Sequence, residues 1–80
     1  MSGEAQLLER ITTNPAVMVG KPTIRGMRIT VEQVLRALAA KASVQDLFED
    51  LPELEPADVQ ACVLYAARLV EEERVYPVGA

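Results

Sequence analysis

Three cations, Lys21, Arg25 and Arg28, fall within one short run, Gly20-Lys21-Pro22-Thr23-Ile24-Arg25-Gly26-Met27-Arg28-Ile29-Thr30-Val31. Pro22 biases Lys21 toward extended backbone, and Gly26 frees a turn between Ile24 and Ile29, so the charges ride on a stiff, irregular segment. That chemistry suits phosphate. An arginine grips a phosphate or a guanine edge with two parallel N–H donors, and a lysine adds a compact point charge. Together with Arg36, these three are the candidate DNA contacts. The competing reading is internal: Arg25 and Arg28 would pair with acids of their own chain, such as Glu32 or those of the second helix.

Residue types close off most other chemistries. The chain has no histidine, which excludes imidazole metal sites, triads and His acid/base work. Cys62 is alone, so there is no internal disulfide and no cysteine zinc cluster. On the apolar face of a helix it reads as a small buried hydrophobe. Gly20-Lys21-Pro22 is not a phosphate loop, because Pro stands where a Walker motif needs its first Gly (position 15) and its Ser or Thr (position 22). The carboxylates fall on helix surfaces expected to be exposed, with no nucleophile and base to pair. No catalytic residue, metal or cofactor is therefore expected, and the chain does not read as an enzyme.

The 80 residues amount to one domain whose core is marginal alone, a size at which a second subunit or a partner supplies the missing burial. Half the residues are apolar, which argues against disorder. No apolar run approaches the length of a membrane span, and residues 1–10 lack the pattern of a signal peptide, so a cytoplasmic protein without membrane contact is expected. Charge is unevenly distributed. Residues 11–41 carry +4 and residues 42–80 carry −7 within a total of −4. Such polarity speaks against indiscriminate nucleic-acid binding and is compatible with a focused contact.

The elements that must position these residues are mostly helical. Residues 1–10 read as an N-terminal arm, with Leu7, Leu8 and Ile11 too few to predict more than a weak or absent helix. Ile11-Thr12-Thr13 before Asn14-Pro15, and Val17-Met18-Val19 before Gly20, predict short extended pieces. Thr30-Val31-Glu32-Gln33 fits a capping box and starts a helix over about 31–41. Its apolar stripe is Val31, Val34, Leu35, Leu38, Ala39 and Ala42. Ser43 caps a second helix over about 44–51, which Pro52 stops. Pro56 leads a third over about 56–73, with Val59, Cys62, Val63, Ala66, Leu69 and Val70 on one face and Glu55 at the N-cap. Glu71-Glu72-Glu73 reads as a solvated helix end, and Arg74-Val75-Tyr76-Pro77-Val78 as an extended segment able to lie in a partner's groove or over its own core. The domain covers 11–76, with 77–80 as a tail. One or two residues join the first two helices, as a helix-turn-helix requires. An ordinary three-helix bundle fits the spacing as well.

The run Ile11-Thr12-x-Asn14-Pro15, then Gly20-Lys21-Pro22-x-Ile24-Arg25-Gly26-x-Arg28-Ile29-x-Val31, then Leu47 to Leu54 around Pro52, then Asp58-Val59 and Leu64-Tyr65-Ala66, resembles the small bacterial family known as domain of unknown function 433. The resemblance covers roughly residues 10–76. It implies a mainly α fold, a three-helix homeodomain-like domain preceded by short extended β segments. It also implies an antitoxin role against a PIN-type ribonuclease toxin. Two positions depart from the family's pattern: Met27 where Thr is usual, and Glu55 where a Thr cap is common. The start of the third helix then reads Glu53, Glu55, Asp58, which would repel DNA at the point where a recognition helix meets base edges.

The expectation is accordingly a dimeric antitoxin-like protein that neutralises a nuclease by docking its third helix and tail over the toxin's acidic metal site. Arg68, Arg74, Val75 and Tyr76 are the partner-binding candidates, the arginines pairing with those carboxylates. Operator DNA binding is the second activity. A stand-alone DNA-binding regulator and an oligomerisation or interaction module without DNA binding are the alternatives.

Overall fold

The longest element is α4 (Pro56–Glu72), on which the first helix, the first strand and the helix at 31–40 pack. The computed structural model describes residues 3–40 and 43–72. Ahead of α4 come α1 (Gly3–Leu8), β1 (Ile11–Thr12), a 3-10 turn (Met18–Gly20), β2 (Thr23–Ile24), α2 (Val31–Ala40) and α3 (Val44–Asp50). Among the described residues the chain is mainly helical, with one small antiparallel sheet in which Ile11 lies opposite Ile24 and Thr12 opposite Thr23. No helix of the described residues is long and apolar enough to cross a membrane.

The turn expected between Ile24 and Ile29 is closed by the backbone, with the Ile24 amide donating to the Ile29 carbonyl (3.0 Å) and the Met27 amide to the Ile24 carbonyl (2.8 Å). These bonds need no side chain at position 27, so Met27 is free to pack against the core instead. The Val31 amide then donates to the Pro22 carbonyl (3.0 Å), tying the first turn of α2 to the start of β2. Thr30 Oγ1 accepts from the Gln33 amide (3.0 Å), the hydroxyl half of the capping box. Ser43 Oγ accepts from the Asp46 amide (3.3 Å) at the head of α3.

The core consists of Ile24, Val31, Val34, Leu47, Leu54, Val59 and Cys62, with Ile11, Met27, Leu35, Leu38, Phe48 and Tyr65 packed around its edge. Ile24 sits at its centre with no exposed surface. Thr23, beside it, is also buried, its hydroxyl 3.2 Å from that of Thr12. A two-residue strand therefore delivers one apolar and one satisfied polar side chain into the interior.

Four expectations are corrected. The N-terminal arm carries a helix, α1, because packing on α4 supplies what local periodicity does not. Of Val17-Met18-Val19, only Val17 is extended, bridging Asn14. Met18, Val19 and Gly20 have φ of 49°, 57° and 79°, forming a left-handed turn closed by Gly20 and Lys21 amides donating to the Val17 and Met18 carbonyls. On α2, Ala39 is exposed rather than part of the buried stripe. Finally, the apolar face of α4 is covered only at its start. Val59 and Cys62 are buried, whereas Val63, Leu69 and Val70 are 50%, 46% and 57% exposed.

Candidate functional site

Asp58 is the third helical residue of α4 and has no exposed surface. Its Oδ2 accepts from the Glu55 amide (2.9 Å), so the carboxylate reaches back one turn and caps its own helix. Glu55 caps with nothing of its own. Its side chain instead accepts from Arg10 Nη1 at 2.8 Å. Pro56 at the first helical position has no N–H to satisfy.

Two arginines converge on this buried acid. Arg25 Nε lies 3.1 Å from Oδ1 and 3.3 Å from Oδ2, and its Nη2 lies 2.8 Å from Oδ2 and 3.0 Å from the Glu53 carbonyl. Arg10 Nη1 donates to Oδ1 at 2.9 Å. The backbone aims Arg25 from a left-handed conformation, φ 47°, followed by Gly26 at φ 73°. Two further bonds hold that turn: the Arg25 amide donates to the Arg10 carbonyl (2.7 Å) and the Gly26 amide to Thr12 Oγ1 (2.9 Å). A left-handed arginine is costly in isolation and persists only when its surroundings over-determine it. Here the surroundings are β1, the residue before it, and the head of α4.

Burial pushes the Asp58 carboxyl up, but hydrogen bonds from Arg25, the Glu55 amide and Arg10 outweigh it and hold the group below the ordinary carboxylate value. The same contacts raise both guanidinium pKa values, for Arg10 chiefly through Glu55 and then Asp58, and for Arg25 through Asp58. Below this cluster, burial and then the Asp58 charge push the Cys62 thiol up to about 12.

The sequence-derived DNA contacts are thereby redistributed. Arg25 pairs inside its own chain, although with Asp58 of α4 rather than with Glu32 or α3. Lys21 and Arg36 share Glu32, with Lys21 Nζ 3.5 Å from Oε1 and Arg36 Nε 3.0 Å from Oε2. A hydrogen bond from Arg36, then the charge of Lys21, lowers the Glu32 carboxyl below its ordinary value. Arg28 is exposed and has no ion pair among the described residues. Of the partner-binding candidates, Arg68 Nη2 is 2.6 Å from Glu4 Oε1 of α1. Arg74, Val75 and Tyr76 lie outside the described residues.

The acidic start of α4 is also different from the expectation of three exposed repelling charges. Asp58 is interior and doubly paired, Glu55 is exposed but paired with Arg10, and Glu53 is exposed. Sequence reasoning missed Arg10, Thr12 and Asp58 as a unit. The available signal was Asp58 itself, four residues before Cys62 on the stripe that enters the core, since an acid on an apolar face must find a cation.

Two surface depressions have Lys21 in common. A groove of about 460 Å3 between α2 and α4 is floored by Leu35, Tyr65, Ala66 and Leu69, with Lys21 and Arg36 at its rim. A shallower depression of about 470 Å3 lies among Pro15, Met18, Val19, Lys21 and Arg28.

This is a small helical domain whose irregular amino-terminal half is locked to its longest helix through one buried carboxylate. Residues 11–66 match the family described as Protein of unknown function (DUF433), and the chain belongs to that family. The matched stretch includes Thr12, Arg25 and Asp58, and Arg10 directly precedes it. A relative from Sinorhizobium fredii (strain NBRC 101917 / NGR234), "Uncharacterized protein y4eO", is 33% identical over 58 residues, which make up 72% of this chain and 26% of the relative. The matched stretch thus spans about a quarter of that curated relative. No solved structure matches the chain.

Proposed function

We propose that this chain is an antitoxin-like protein-binding module that neutralises a cognate nuclease of the PIN type by docking on it in the cytoplasm. The observation that carries this reading is that α4 outlasts the core: residues 67–72 are exposed throughout, apolar Leu69 and Val70 among them. Soluble domains seldom project an apolar helix end without a partner. Arg68 lies on this projecting part of α4, and Arg74, Val75 and Tyr76 follow it in the chain. They supply two cations, an aliphatic and an aromatic group, a set suited to the acidic rim of a metal-dependent nuclease. In this reading α2, α3 and α4 form the homeodomain-like unit, with the clamp at Asp58 setting the direction in which α4 leaves it.

Co-expression with the product of the neighbouring gene tests the proposal. The expected outcome is a complex that survives purification and relief of the nuclease's toxicity, both weakened by Arg68→Glu combined with Arg74→Glu. Absence of both complex and relief rejects it.

One observation favours operator DNA binding as a second activity. Arg28 is exposed and carries no ion pair among the described residues, and it shares a depression with Lys21. Contacts of this kind are to phosphate, so they confer salt-sensitive affinity rather than sequence choice. A gel-shift titration at low salt should show binding that Arg28→Ala with Lys21→Ala abolishes. Arg25→Ala would act through the fold instead.

A further inference from the structure

The apolar stripe of α4 runs through Val59, Cys62, Val63, Ala66, Leu69 and Val70, but the domain covers only its first turns. Beside the uncovered part lies the groove between α2 and α4, with an apolar floor and two rim cations, Lys21 and Arg36, that share the single carboxylate of Glu32. Whatever fills this surface should be an apolar helical strip that ends in carboxylates. The chain itself contains one. Val63, Ala66 and Val70 recur at helical spacing and are followed by exposed Glu71 and Glu72.

We infer that a second copy of this chain occupies the groove, two α4 helices packing antiparallel about a twofold axis near Ala66. Ala66, the smallest of these residues, is where two helices approach most closely. Val63 of each copy then meets Leu69 and Val70 of the other, and the acidic turn of each reaches the basic rim of the other. An isologous interface demands that reciprocity, with each contact made twice. The inference rests on the reading of α4 as an interaction surface. It leaves Arg68, which α1 holds on the other side of the helix through Glu4, to a different partner.

Sedimentation equilibrium on the full chain, with circular dichroism as the check on folding, is the test. At about 0.1 mM, where even weak association is populated, the chain should sediment at twice the single-chain mass. Leu69→Asp and Val70→Asp, both at exposed positions, should keep the wild-type helical signal and raise the dimer dissociation constant at least about tenfold. Arg36→Glu should weaken the dimer, and adding Glu71→Arg with Glu72→Arg should restore it. A monomeric wild-type chain, a dimer indifferent to Leu69→Asp, or no recovery in the charge-swapped variant overturns the inference. If the chain is monomeric while Leu69→Asp abolishes capture of the nuclease, the groove is the nuclease's seat: this inference falls and the antitoxin-like reading stands. A dimer lost in Leu69→Asp, with no nuclease captured by either form, supports the inference and rejects that reading.

Discussion

Asp58 shows how one buried carboxylate can hold distant parts of a chain together. An aspartate without exposed surface would be destabilising if left alone, yet it receives five hydrogen-bond contacts from two arginines and one amide. Replacing it with asparagine removes the charge that both guanidinium groups require. Asp58→Asn should cost about 3 kcal/mol in urea unfolding, toward the lower end for breaking a buried pair because the arginines keep some access to water. The pH dependence has a definite sign. Because the folded carboxyl lies below its unfolded value, its contribution is complete above the ordinary carboxylate range and is lost as pH falls through the folded value. Wild-type stability should therefore decline below about pH 4, and the gap to Asp58→Asn should narrow there. An equal gap at pH 7 and pH 2.5 would contradict the assignment. The buried Cys62 thiol, with its pKa pushed up to about 12, should not react with a disulfide reagent at pH 8 until the chain is unfolded.

Among the elements, the left-handed turn at Met18 to Gly20 stands apart. Val19 is β-branched, adopts φ 57° and is 91% exposed, so it contributes little packing in return for its strain. Val19→Gly should stabilise the domain by about 0.5–1 kcal/mol, the relief of a left-handed side chain being partly offset by the greater freedom of glycine when unfolded. Thermal unfolding read against wild type is sufficient to check it. The same turn marks the limit of what the sequence makes legible. Val17 is extended as its residue type advertises, but Val19 is carried into the left-handed turn as the chain returns toward β2. By contrast, α2, α3 and α4 are legible because Thr30, Ser43 and Pro56 announce their starts in local chemistry. The helix α1 is not legible, since Leu7 and Leu8 become informative only with α4 beside them. The Arg25–Asp58 pairing joins residues 33 apart, and neither helical nor strand periodicity encodes a contact at that distance. The charge of Arg25 is visible in the sequence, but its direction is not.

For the whole molecule, the clamp ties the end of the α1 segment and the Arg25 turn to the head of α4, with Arg10 and Asp58 separated by 48 positions. A contact between such distant residues forms only after most of the chain has been brought together, because the entropy of closing so large a loop must be met first. It belongs to the late side of the folding barrier. Arg25→Ala and Asp58→Asn should consequently leave the folding rate nearly unchanged and speed unfolding, shifting one limb of the denaturant-dependent kinetics. The clamp would then govern how long a folded molecule lasts rather than how quickly one forms. For a chain this short, the buried aspartate is a latch on lifetime.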